Sequence, residues 1–184
     1  MEALPEAISW CEVSAEAIRA NLATLRRGLS QGTELGIVVK SNAYGHGLAA
    51  CAGVFIAAGA DWLIVNSVGE AIALRALARE SPIYICGPVF PDEAPEIGDA
   101  RASVAIYDNE MALALANAGQ RSGQSIGVHI KVETGTNRQG VAPAEALELA
   151  LYVDRLEGVR LEGITTHYAD IEDTTDPRFA LGQL

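Results

Sequence analysis

The sequence contains little cysteine and no apolar run long enough to cross a membrane. Its three cysteines, Cys11, Cys51 and Cys86, are an odd number and lie among apolar residues, which predicts buried thiols rather than a disulfide framework. The longest apolar stretch, residues 48–60, stops well short of the roughly 20 residues that a membrane span needs. Residues 1–10 carry no basic cluster of the kind that opens a secretion signal. We therefore expect a cytoplasmic protein.

Basic residues are also scarce. The 13 lysines and arginines are outnumbered by 24 aspartates and glutamates, which gives a formal net charge of −11. A surface of this charge repels phosphate backbones and anionic lipid surfaces, so neither nucleic acid nor a membrane is expected as a partner. With 49% hydrophobic residues, the 184 residues can form a globular domain with a sizeable core.

Several common functional motifs are missing. The sequence has no phosphate-binding loop of the Gly-Lys-Ser/Thr type, no Gly-x-Gly-x-x-Gly dinucleotide motif and no Gly-x-Ser-x-Gly hydrolase elbow. His46, His129 and His167 lie far apart, and no cysteine and histidine spacing matches a zinc site. We expect neither a serine hydrolase nor a metal site.

Short β-branched runs alternate with helical sequence along the chain. The predicted strands are residues 35–39, 62–66, 83–86, 103–107, 128–133 and 161–168. One predicted helix is capped by Ser14 and carries Ile18, Leu22, Leu25 and Leu29, another lies between Pro143 and Gly158 with an apolar face of Leu147, Ala150, Leu151 and Leu156, and others cover residues 48–58, 69–79 and 109–118. This alternation predicts βαβ units and a parallel α/β sheet.

Polar residues inside the strands favour a barrel over a doubly wound sheet. Residues 128–133 alternate apolar with polar side chains, and Thr165 and His167 share a face of the sixth strand. A barrel strand can direct such residues into the mouth of the barrel, whereas both faces of a doubly wound sheet are covered by helices. Because a complete (β/α)8 barrel needs eight strands and about 250 residues, the chain predicts an incomplete TIM-type barrel of about six βα units. A helix that begins at Asp176 and Pro177 continues to the last residue, so we expect a longer protein.

Lys40 follows the first predicted strand and is a candidate catalytic residue. In a barrel it lies at the C-terminal mouth, where the small alternating residues Gly36 and Val38 leave space. A partly desolvated amine there is suited to attack an aldehyde, although a solvated lysine at a strand end is an equally good interpretation of position alone. Tyr44 can reach over the same mouth, where its hydroxyl group can donate a hydrogen bond to a phosphate. His46 is interpreted as a turn residue.

Lys131 and Arg138 form a second constellation. A buried lysine close to a guanidinium group must be neutralised, paired or modified. The sequence is equally compatible with a contact from Lys131 to Glu133 and one from Lys131 to His129.

Residues 39–47, Val-Lys-Ser-Asn-Ala-Tyr-Gly-His-Gly, resemble the pyridoxal-phosphate attachment motif of bacterial alanine racemases. Residues 10–13 resemble the opening strand of that family, and residues 131–141 resemble its fifth strand and the following loop, with departures at Glu133, Thr136 and Asn137. The resemblance implies pyridoxal 5'-phosphate bound covalently to Lys40, with one face of the substrate served by the same amine. Arg138 would face the phenolic oxygen of the cofactor and the carboxylate of the substrate. The remaining implied positions are a carbamylated Lys131, and Val38, Tyr44 and His167 as cofactor contacts.

The resemblance also implies a larger assembly. Residues 1–13 would form a strand that pairs with an absent C-terminal domain, and residues 14–184 a partial cofactor-binding barrel. The complete enzyme would interconvert L- and D-alanine as a homodimer, with a tyrosine of the C-terminal domain as its second base, and this chain would be inactive alone. Two alternatives are a non-catalytic pyridoxal-phosphate-binding barrel and an aldolase-type barrel that uses Lys40 without the cofactor. The sequence does not distinguish alanine from serine or a larger amino acid.

Overall fold

The computed structural model describes residues 11–173 and 175–184, which contain six strands alternating with helices. The strands are β1 (Gly36–Val38), β2 (Trp62–Val65), β3 (Ile83–Ile85), β4 (Ala102–Ile106), β5 (Ile126–Lys131) and β6 (Val159–Thr165). The helices are α1 (Ala15–Gly28), α2 (Lys40–Tyr44), α3 (Leu48–Ala57), α4 (Val68–Leu77), α5 (Ala94–Asp99), α6 (Asn109–Ser122), α7 (Ala146–Asp154) and α8 (Arg178–Leu181), with a 3-10 turn at Pro91–Glu93. All six predicted strands are confirmed, with ends shifted by a few residues.

The six strands form one sheet in which every neighbouring pair is parallel and the spatial order follows the sequence from β1 to β6. This order confirms the predicted (β/α) barrel arrangement of six βα units. Parallel pairing brings the carboxyl ends of all six strands to the same rim, which is where a barrel places its functional groups.

The core lies between the sheet and the helices. Alternate residues of the central strands are almost completely buried and pack against apolar helical residues, the largest of which are Leu63, Ile83, Ile85, Ile106 and Ile130 from the sheet and Leu74, Ile97 and Leu115 from the helices. Each βα unit therefore buries one face of its strand under its helix. The opposite strand faces are left free to line the barrel interior.

The helix signals are confirmed in position, but Leu25 of α1 is 55% exposed, and only Ala150 and Leu156 of the face predicted for α7 pack against the core. The Oγ of Ser14 caps α1 by accepting a hydrogen bond from the backbone N–H of Ala17 (3.1 Å). In α7, however, Leu147 and Leu151 are 69% and 48% exposed, and Leu149 and Val153 are buried instead. The small residues Ala146 and Ala150 share this inward face at helical spacing, so the leucines alone gave the wrong orientation.

Two further predictions are corrected or lie outside the described residues. Only Cys51 is the buried thiol that was predicted, because Cys11 is exposed and Cys86 is half-buried. Residues 1–10 of the predicted segment 1–13 lie outside the described residues, and residues 11–13 are not in a strand. Within the described part of the chain, no helix is both long and apolar enough to cross a membrane.

The interior of the sheet contains a polar cluster on β4, β5 and β6. The Nε2 of His129 lies 3.2 Å from Oε2 of Glu162, and the His129 ring packs edge-on against Tyr84 with centroids 4.9 Å apart. Burial raises the pKa of Glu162, but hydrogen bonds from Ser103 and Arg160 outweigh it, so that its pKa lies below the ordinary value. The carboxylate thus joins three strands while it remains charged.

We expect Glu162→Gln to lower the free energy of unfolding at neutral pH by about 1–3 kcal/mol, since neighbouring donors lose a charged acceptor. Because the folded pKa is depressed, the stabilisation is complete above the unfolded pKa and is lost as pH falls through the folded pKa. The difference between wild type and variant should therefore shrink below about pH 4. Urea unfolding across this range measures it, with the exposed Glu157→Gln as control. A difference that does not change with pH would contradict the assignment.

Candidate active site

A cavity of about 300 Å³ opens at the carboxyl ends of the strands. Three side chains with basic groups lie in its wall, namely Lys40, Lys131 and Arg138, together with His167, and none of its lining residues is an aspartate or glutamate. Its volume is at the lower end of the range of small-molecule sites. In a chain of net charge −11, this concentration of positive charge in one concave site favours an anionic small molecule.

Lys40 and Lys131 are the only lysines of the sequence. Sequence reasoning predicted each of them separately, and the structure brings both to the same cavity. Within the described residues, neither lysine and no side-chain nitrogen of Arg138 forms an ion pair with a carboxylate. The cationic groups therefore remain available to a ligand.

Lys40 begins a turn with an unusual backbone conformation. The four residues after it, Ser41 to Tyr44, all have φ between 52° and 55°, which is the left-handed region. Each such residue costs roughly 1–2 kcal/mol when it is not glycine. Gly45 and Gly47, at φ 85° and 94°, complete the turn without this cost.

Local hydrogen bonds hold the turn. The Oδ1 of Asn42 accepts from the backbone N–H of Leu48 (2.8 Å), and the Nδ1 of His46 lies 2.8 Å from the carbonyl oxygen of Ala43. His46 therefore serves the turn, as its sequence position predicted, and it does not line the cavity. Tyr44 does line it: the Nζ of Lys40 lies 6.0 Å from the centroid of the Tyr44 ring, within cation–π range.

Lys131, the last residue of β5, is only 6% exposed. Burial lowers its pKa, and the neighbouring Arg138 lowers it further. Attraction to Cys86 and Glu133 raises the pKa and offsets only part of this lowering. In the described chain neither predicted contact forms as an ion pair: His129 pairs with Glu162, and Glu133 turns into its own loop. The amine is thus more easily deprotonated than an ordinary lysine and carries no countercharge.

Glu133 organises the loop that carries Arg138. Strand β5 ends at Lys131, so Glu133 does not continue the predicted alternation. Its carboxylate accepts hydrogen bonds from the backbone of Asn137, Gly135 and Arg138 and from the hydroxyl of Thr136, and these bonds lower the pKa of Glu133 to about 2. The loop folds around one ionised carboxylate, which fixes where Arg138 begins.

The same loop is fastened to the sheet at its far end. Val141 pairs with Val132 as an isolated bridge, and a side chain on Gly140 would clash with the backbone of Glu133 at 2.6 Å. The Nε2 of Gln139 donates to the carbonyl oxygen of Cys86 at the end of β3 (2.8 Å). Arg138 is therefore held over the cavity from both sides.

His167 lies two residues beyond the end of β6, not on the strand as predicted. The strand ends at Thr165 because its partner there, Lys131, is the last residue of β5. His167 nevertheless lines the cavity, and burial together with Arg138, Lys131 and Lys40 lowers its pKa. A largely neutral imidazole at this position adds no charge to those of the three cationic side chains.

Sequence reasoning missed several residues of the site, among them Cys86, Asn66 and Glu70. Cys86 and Asn66 line the cavity, and Glu70 bonds the backbone beside Lys40. The ends of β3 and β2 could have indicated Cys86 and Asn66, because residues at carboxyl ends of barrel strands face the mouth. No sequence signal connects Glu70 to residue 41.

The donor set fits one kind of ligand well. A primary amine can bond covalently to an aldehyde, while the guanidinium group, hydroxyl groups and amides can bind anionic oxygens. The walls formed by Val38, Ile64 and Tyr84 give a flat ring an apolar surface. A phosphorylated aromatic aldehyde satisfies all these groups, and pyridoxal phosphate has this chemistry.

Comparison with known proteins shows the family to which the chain belongs. The family model described as "Alanine racemase, N-terminal domain" matches residues 13–184. The alanine racemase of Symbiobacterium thermophilum is 41% identical over 92% of this chain and 45% of its own length. Among solved structures, the alanine racemase of Clostridium difficile 630 in complex with cycloserine superposes with a TM-score of 0.86 at 26% identity, over 91% of this chain and 46% of that one.

A histidine racemase from Leuconostoc mesenteroides superposes with a TM-score of 0.83 at 28% identity, over 92% of this chain and 45% of that one. The chain spans less than half the length of these relatives. The match to the family model covers nearly the whole sequence, and the structure superposes on a solved alanine racemase over 91% of this chain. The chain belongs to the alanine racemase N-terminal domain family.

Proposed function

We propose that this chain is the cofactor-binding barrel portion of a pyridoxal-phosphate-dependent racemase that interconverts L- and D-alanine. The observation that supports it best is the convergence of the only two lysines with Arg138 in a cavity that has no acidic wall. Because a histidine racemase shares the fold, the choice of alanine rests on the relatives of highest sequence identity and not on the fold itself.

Lys40 has two roles in the proposal. Its amine would hold the cofactor through the aldehyde carbon, with loss of water, and would be released when the amino group of the substrate takes its place. The free amine would then accept or donate the proton at Cα on one face of the substrate. Pyridoxal phosphate, when bound, supplies a ring that accepts electron density as the Cα–H bond breaks. The left-handed turn keeps the amine directed into the cavity while it exchanges partners.

The other lining residues bind and orient. Arg138 binds the substrate carboxylate and the phenolic oxygen of the cofactor. Tyr44 donates a hydrogen bond from its hydroxyl group to the phosphate. Val38 and His167 flank the ring. Lys131, buried beside Arg138 without a countercharge, is proposed to be carbamylated, which replaces a cation that repels Arg138 with an anion that orients it.

Racemisation requires a second base on the opposite face of the substrate. We assign it to a tyrosine of a C-terminal domain contributed across a homodimer, as the family resemblance implies. The predicted pairing of residues 1–13 with that domain and a cytoplasmic location belong to the same proposal. The alternative, a pyridoxal-phosphate-binding barrel without catalysis, would use the same lysine and the same cavity.

The first prediction concerns cofactor attachment. We expect pyridoxal phosphate followed by borohydride to modify Lys40 in preference to Lys131, because Lys40 is half-buried whereas Lys131 is only 6% exposed. The amine and the aldehyde lose water to form a C=N bond, which hydride then reduces. Peptide mass spectrometry locates the label, which Lys40→Ala should lack. As a control, Arg121→Lys places a lysine at an exposed position of α6, and this lysine should gain only background label. Equal labelling of all amines would contradict a built site.

The second prediction concerns Lys131. Because burial lowers its pKa, its neutral amine should react with dissolved CO2 more readily than an ordinary lysine. Carbon-13 NMR after addition of labelled bicarbonate should show a carbamate resonance that Lys131→Arg lacks and Lys40→Arg keeps. Its absence from a folded wild-type sample would contradict the proposed modification.

The third prediction separates catalysis from cofactor carriage. The 184-residue chain should not convert L-alanine to D-alanine faster than free pyridoxal phosphate does, since it holds one base. Fusion to the C-terminal part of the Symbiobacterium thermophilum racemase should give Lys40-dependent D-alanine formation, measured with a D-amino-acid oxidase. Activity of the chain alone would contradict the division of bases, and a folded, cofactor-loaded but inactive fusion would favour the carrier.

A further inference from the structure

Glu70 connects two strand ends at the rim of the cavity. It lies in the first turn of α4, where the backbone N–H of Glu70 bonds the Oγ of Ser67 (3.3 Å) and Oε2 of Glu70 accepts from the N–H of Asn66 (2.7 Å). The bond to Ser67 is an ordinary way to begin a helix, whereas the carboxylate bonds the residue before that cap, one position further back than in a capping box. The other carboxylate oxygen does something different, because Oε1 accepts from the N–H of Ser41 at 2.6 Å, across 29 residues of sequence.

The bond from Ser41 begins where the sheet ends. Strands β1 and β2 pair through Val38 and Ile64, and the backbone N–H of Val39 donates to the carbonyl of Ile64 (2.7 Å). Beyond that point the Glu70 carboxylate, rather than a backbone carbonyl, connects the two strand ends. Lys40 lies between these two attachments, so its Cα is held on both sides.

The bond also supports a strained segment. Ser41 is the first of four consecutive non-glycine residues in the left-handed region, and it is exposed. In the described structure, Glu70 is the only acceptor for its N–H. Asn42 and His46 hold the later part of the turn. Without Glu70 the start of the turn would be free to relax toward ordinary backbone conformations.

We propose that Glu70 is a positioning residue for Lys40. It fixes the first peptide of the left-handed turn and thereby keeps the Lys40 amine directed at the cavity, although Glu70 itself does not line the cavity. This inference rests on the proposed function, because positioning the amine has a consequence only where an aldehyde ligand reacts with it.

The experiment measures the reactivity of Lys40 relative to Lys131. In Glu70→Gln the amide oxygen can accept from one N–H only, and its NH2 group faces the other donor. We expect the rate of labelling of Lys40 by pyridoxal phosphate and borohydride to fall about tenfold, the equivalent of one lost charge-assisted hydrogen bond, with labelling of Lys131 unchanged. Mass spectrometry of the same peptides gives both rates.

A matched control is Glu145→Gln. Like Glu70, Glu145 lies at the start of a helix, and its carboxylate accepts from a backbone N–H before that helix. The donor is Ala142 (3.0 Å), and Glu145 does not line the cavity. It should lower the thermal midpoint without changing the labelling ratio. An unchanged ratio in folded Glu70→Gln, or an equal fall in both variants, overturns the proposal.

Amide hydrogen exchange of the wild-type chain provides a test that needs neither a folded variant nor the cofactor. We expect the N–H groups of Ser41 and Asn66 to exchange at least about tenfold more slowly than unbonded surface amides. Fast exchange at both overturns the proposal, also where Glu70→Gln does not fold. If Lys40 of the wild type is labelled no faster than the N-terminal amine while both amides are protected, the proposed function fails but the hydrogen bonds of Glu70 do not.

Discussion

Parallel pairing of six consecutive strands is the constraint on which the site depends. Every strand ends at the same rim, so residues that follow different strands meet although they are distant in sequence. Lys40 after β1, Cys86 after β3 and Lys131 at the end of β5 share one cavity for this reason. The helices contribute by covering the outer strand faces, which leaves the inner faces and the rim to polar residues.

This constraint also explains which parts of the site could be predicted from sequence. Lys40 and Lys131 could be predicted because a strand pattern and its last residue are local signals. The alternation of strands with helices predicted a parallel sheet, and the polar residues inside the strands favoured the barrel. The path of Glu133 was not accessible, since its carboxylate folds back on the following loop instead of continuing the strand. His167 lies beyond its predicted strand because β6 pairs with β5 only as far as Thr165, and the extent of that pairing is not a local signal in the sequence.

The electrostatics of the cavity oppose those of the surface. The chain carries a net charge of −11, yet its two lysines and Arg138 line one small volume. Mutual repulsion and burial disfavour this arrangement in the absence of a ligand, as the lowered pKa of Lys131 shows. The proposed anionic cofactor and substrate offset this cost, so the groups that repel one another across the cavity favour their binding.

Two carboxylates hold Lys40 and Arg138 in place without forming an ion pair with either side chain. Glu70 bonds the backbone next to Lys40, and Glu133 bonds the backbone of the loop that carries Arg138. A carboxylate paired directly with either cation would compete with the ligand for the charge that binds it. Bonds to backbone N–H groups fix the position of each cation from outside the cavity, and the positive charge remains directed at the ligand. The absence of acidic residues from the cavity wall and their presence immediately behind it are therefore two consequences of one requirement.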